Sequence, residues 1–124
     1  MKLSKSKKIV EIQNDFQKVF PNLKIEFYNE PHDPGKGSTP RVHLPSEYEL
    51  GAIGFKGNEE ELSLQENMSV QDFESKLSDK FGLYIQVFRK SGNLWMQTTA
   101  TDSWTLSEQN RKGGASEEHF YNKP

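Results

Sequence analysis

The sequence predicts an α+β fold: a mostly antiparallel sheet of three to five strands with two main helices packed on one face. Three observations predict it. Two segments carry apolar residues at helical spacing, within Ser4 to Phe20 and from Val70 to Phe81. The run Leu23 to Tyr28 alternates apolar and polar residues as a half-buried strand does. Finally, two strand-like runs flank Lys90-Ser91-Gly92-Asn93, a strong hairpin signal.

In the first helical segment, Ile9, Ile12, Phe16, Val19 and Phe20 share a stripe, with Lys8, Glu11, Asn14, Gln17 and Lys18 opposite. Pro21 ends it, because proline has no amide hydrogen to continue the ladder. Leu23, Ile25 and Phe27 then face the core, with Lys24, Glu26 and Tyr28 between them. Prolines and glycines fill residues 29–45, which read as one long loop. Leu50, Ile53 and Phe55 anchor a short turn or strand, and Leu62 with Leu64 predicts another short strand.

The second helix has the clearest boundaries. The Ser69 hydroxyl can accept from the Asp72 amide, Val70, Phe73, Leu77 and Phe81 form its stripe, and Gly82 stands where a left-handed cap belongs. Leu83 to Arg89 and Leu94 to Thr99 make the hairpin. Thr105 with Glu108 starts a last, short helix that should stop before Gly113-Gly114, leaving a loose end. The expected organisation is thus a single domain over residues 1–112 and a flexible tail over 113–124. The strand–helix–hairpin run suits either a ferredoxin-like or a β-grasp-like arrangement, and the choice depends on strand order.

Composition narrows the function classes. The 124 residues contain no cysteine, which excludes disulfides, a thiol nucleophile and a cysteine-bound metal. This fits a cytoplasmic location. No apolar run is long enough to span a membrane, and the N-terminal segment lacks the apolar block of a signal peptide. Mean hydropathy is low at −0.87. Even so, Leu, Ile, Val and Phe total 28 residues and net charge is only −2, so a folded core is expected.

Several residue groups invite a chemical reading. The loop Pro34-Gly35-Lys36-Gly37-Ser38-Thr39 resembles a phosphate cradle, but Gly37 stands where a Walker loop needs Ser or Thr. Glu30, His32, Asp33 and His43 have ligand chemistry without the spacing of a metal motif. No nucleophile elbow, zinc-protease motif or triad order is present. Accordingly no catalytic residue, metal or cofactor is assigned, and an enzyme working from the 29–45 loop ranks third.

The hairpin is more informative. Residue parity puts Leu83, Ile85, Val87, Leu94 and Met96 on an inner face. Tyr84, Gln86, Phe88, Trp95, Gln97 and Thr99 share the outer one. Trp104 and Leu106 are the candidates to cover that outer face. Left open, it would suit a protein partner through Tyr84, Phe88, Arg89, Trp95 and Gln97, since aromatics and arginine anchor interfaces. The alternative is single-stranded nucleic acid stacked on the same rings, with Arg89 and Lys90 supplying charge.

Overall fold

Antiparallel pairing divides the strands between two sheets rather than one. The computed structural model describes residues 1–31 and 43–121. The order is β1 (Lys2–Leu3), α1 (Ile9–Val19), β2 (Leu23–Tyr28), a 3-10 turn (Leu50–Ile53), β3 (Glu60–Glu61), α2 (Val70–Phe81), β4 (Tyr84–Ser91), β5 (Leu94–Gln97), a second 3-10 turn (Thr99–Thr101) and α3 (Leu106–Tyr121). The main sheet has the order β2-β4-β5, and β1 pairs with β3 in a separate ribbon. The α+β class is as predicted, and the last helix, expected to be short, is the longest of the three among the described residues.

Sequence chemistry explains the boundaries. Glu11 Oε1 accepts from the Lys8 amide at the start of α1, and Ser69 Oγ accepts from the Asp72 amide at the start of α2. Gly82 closes α2 in the left-handed region at φ +68°. A two-residue turn, Gly92-Asn93, joins β4 to β5, with Ser91 opposite Leu94 and Gly92 at φ +65°. The Leu62–Leu64 run is displaced in role: Glu60 and Glu61 form β3, while Leu62 is buried in the core.

The core fills one face of the main sheet. Leu23, Ile25, Phe27, Ile85 and Val87 meet Ile9, Ile12 and Phe16 of α1 and Val70, Phe73 and Leu77 of α2. Phe16 stacks on Phe73 with centroids 5.3 Å apart, tying the two helices together. Each large apolar side chain so buried contributes about 1.5–3 kcal/mol relative to exposure. Val19, on the predicted stripe of α1, is half exposed.

The last helix departs from expectation. It runs through Gly113 and Gly114 to Tyr121 instead of stopping before them. A Cβ at Gly113 would lie 3.0 Å from Asn22 O and 3.1 Å from Arg89 Cγ, so the glycine permits close approach to the sheet. Asn110 reinforces that seam, accepting from the Asn22 amide at 2.8 Å. Farther along, the Gly92 amide donates to Ser116 Oγ at 2.8 Å, which fixes α3 to the hairpin turn. Residues 122–124 of the expected tail lie outside the described residues.

Candidate functional site

The main sheet sorts its residues by parity, as the sequence predicts. Pairing of Lys24 with Phe88, Phe88 with Gln97, and Lys90 with Trp95 places all five on the outer face. Glu26, Tyr28, Tyr84 and Gln86 extend it toward the other end of the sheet. The helices turn their buried stripes to the opposite face. Leu106 is part of that core, and the Trp104 ring lies 5.6 Å from the Arg89 guanidinium. Neither residue serves as the outer cover that the sequence suggests.

Around Trp95 the outer face is basic as well as aromatic. Lys24 Nζ sits 5.5 Å from the Phe88 ring centre and 5.2 Å from that of Trp95. Lys90 Nζ lies 4.9 Å from the Trp95 ring and 3.0 Å from Glu117 of α3. Ammonium groups are held over ring faces by the negative charge density there. No carboxylate among the described residues pairs with Lys24.

Of the predicted site residues, Phe88, Trp95, Gln97 and Tyr84 are half-buried and share this face. Gln86, beside them, is 1% exposed and Tyr28 is buried too, so the accessible area centres on the Trp95 end. Arg89 does not belong to the set. It has the parity of Val87, points to the core face and is buried, with Nη1 donating to Gln109 Oε1 at 2.7 Å. Burial pushes its guanidinium pKa below the ordinary value. Sequence reasoning missed Gln109, although Leu106, Gln109 and Gly113 fall on one stripe of α3.

The inner face of β5 also differs from expectation. Leu94 is 68% exposed and Met96 38%, although both have core parity. They lie on the outermost strand, which packs chiefly on β4, so the helical cover does not extend over them. The backbone there is open as well. Thr98 donates its amide to Val87 O, so by alternation Met96 and Leu94 point their backbone groups at β4. Those of Trp95 and Gln97 consequently point away from the sheet.

Where β5 stops, other groups take over the edge of β4. Glu74 Oε2 accepts from the Val87 amide at 3.0 Å, and Thr98 Oγ1 donates to Val87 O at 3.0 Å. A cleft of about 80 Å3 opens beside them, lined by Pro31, Gln71, Glu74, Ser78, Tyr84 and Ile85 among others.

The remaining sequence candidates divide between described and undescribed residues. His32, Asp33 and the glycine loop Pro34–Thr39 lie outside the described residues. His43 is solvent-exposed, with Nδ1 3.7 Å from Glu26 Oε2. Among the described residues no cluster of three or more metal-ligating side chains is found. No helix among them is long and apolar enough to cross a membrane.

Comparison with protein-family models, curated proteins and solved structures gives no match.

Proposed function

We propose that the chain is a small non-enzymatic interaction module that binds a protein partner through the outer face of its hairpin. One observation carries this reading: Phe88 and Trp95 stand half-buried on a face away from the helical core, with Lys24 and Lys90 laid across them. Large aromatics beside cations are the residues that anchor protein interfaces. Tyr84 and Gln97 border the patch.

Stacking of single-stranded nucleic acid is the alternative, and two features count against it. Arg89 faces the core, which removes a cation from the basic support that reading needs. Both ammonium groups near Trp95 occupy the ring faces that a base would have to use.

The experiment compares wild-type protein with Trp95→Ala in cross-linking and co-purification from a cell extract, alongside titration with an oligothymidylate. The reading expects a protein partner held by the wild type and weakened by about 2 kcal/mol or more in Trp95→Ala, the size of an interface hot spot. Oligothymidylate binding that weakens steeply with salt and needs Trp95 would favour the alternative instead.

A further inference from the structure

The outer face ends at a strand edge with the properties of a docking template. Trp95 and Gln97 direct their N–H and C=O groups outward, and no described residue bonds to them. Soluble proteins ordinarily protect such edges with charge, proline or a bulge. The sequence Leu94-Trp95-Met96-Gln97 has none of these: it is uncharged, contains no proline and pairs with β4 in unbroken register. Exposed apolar side chains, Leu94 and Met96, flank it on one side.

We infer that β5 accepts an extended segment of a partner protein as a fourth strand of the β2-β4-β5 sheet, and that this segment alternates acidic with apolar residues. The inference rests on the reading of the outer face given above and specifies how its partner is held. Side chains of an added strand alternate between the two faces of the sheet. Those beside Leu94 and Met96 meet apolar surface. Those beside Trp95 and Gln97 meet the face where, among the described residues, Lys24 has no carboxylate partner and Lys90 pairs with Glu117. An acidic side chain there supplies the missing counter-charge.

The same charges argue against a second copy of this chain as the occupant. Antiparallel pairing of two β5 strands about a two-fold axis would put Lys24 and Lys90 of both copies on one side of the joint. Like charges so placed oppose association.

The test titrates full-length protein with two synthetic peptides, Thr-Val-Glu-Val-Glu-Val-Thr and its counterpart with lysine for glutamate, followed by amide NMR and hydrogen exchange. The acidic peptide is expected to shift the hairpin resonances and slow exchange of the Trp95 and Gln97 amides. The lysine peptide should bind at least about tenfold more weakly, as should the acidic peptide to Lys24→Glu. Gln97→Pro removes an outward amide without touching the bonds to β4, and should abolish protection at Trp95. Retention of the native amide spectrum establishes that each variant is folded, and Lys24→Glu serves alone if the proline variant is not.

Equal binding of the two peptides, or no binding of either, overturns the proposal. So does concentration-dependent dimerisation that protects the same amides, which would make a second copy the occupant. If the acidic peptide perturbs the Phe88 and Trp95 rings without protecting the two amides, strand addition is overturned while the outer face stands as a contact surface. If neither peptide binds and the co-purified partner is also indifferent to Trp95→Ala, the face reading fails with it.

Discussion

Arg89 Nη1 donates to Gln109 Oε1 at 2.7 Å, joining the end of β4 to the first turns of α3 within the protein. The same Gln109 uses its Nε2 to donate to Thr101 O at 2.7 Å, so one amide side chain bridges the strand, the helix and the turn between them. Trp104 lies over the guanidinium, which leaves the charge little access to water.

Gln109→Leu removes the acceptor and leaves Arg89 buried without it. A charge-bearing hydrogen bond lost this way should cost about 2–3 kcal/mol, read as a lower urea midpoint at unchanged slope. Substituting Arg89 alone should also destabilise the fold, and its effect on partner binding should follow stability, since Arg89 is absent from the outer face.

Two adjacent glycines should respond differently to alanine. Within a helix, Gly→Ala ordinarily gains about 1 kcal/mol. At Gly113 the new Cβ would meet Asn22 O at 3.0 Å, backbone that cannot step aside, so the variant should be less stable than wild type. At Gly114 the nearest atom, at 2.7 Å, is the Asn22 side-chain amide nitrogen, which can swing away. That movement gives up its bond to Asn110 O, and the propensity gain should offset the loss to within about 0.5 kcal/mol. Thermal unfolding of the two variants measures the contrast.

Gly82→Ala should cost more than an ordinary surface change. The residue has φ +68°, and a Cβ would lie 2.9 Å from Gly54 O. The left-handed backbone alone costs an alanine about 1–2 kcal/mol, before the contact is counted. Calorimetry should record a fall in Tm of several degrees.

Glu74→Ala should loosen the edge of β4 where β5 has ended. The Val87 amide would lose its acceptor, at a cost of about 1–2 kcal/mol. Native-state hydrogen exchange at Val87 should accelerate, with Val87 the site of largest change.

Much of the fold was legible in the sequence because local chemistry and tertiary need agree. Ser69 and Gly82 mark the ends of α2 through groups they supply themselves, and the Gly92-Asn93 turn fixes a register that parity then carries across the sheet. The ribbon of Lys2–Leu3 with Glu60–Glu61 was not legible, since two residues carry no period. Gly113 reads locally as a helix stop, and only the proximity of Asn22 explains why the helix needs it. Arg89 had the parity of a core residue, but its charge pointed outward. The partner that makes burial tolerable, Gln109, lies 20 residues later. Of the candidate site, the shared face of Phe88, Trp95 and Gln97 was readable. The reach of Lys24 from β2 across Phe88 to Trp95 depends on strand order, which no local pattern reveals.

The Asn22–Asn110 seam spans 88 residues of chain. Closing so wide an interval carries an entropic cost, and contacts so distant in sequence tend to slow folding. During synthesis from the N-terminus, β2, β4 and β5 all leave the ribosome before Asn110 does. Until residues 104–109 have followed, Arg89 has neither Gln109 nor Trp104, and Leu106 has not yet filled its place in the core. A nascent chain therefore passes through a stage in which the hairpin edge is present and the helix that anchors its turn is not, the period when unintended strand pairing is hardest to avoid.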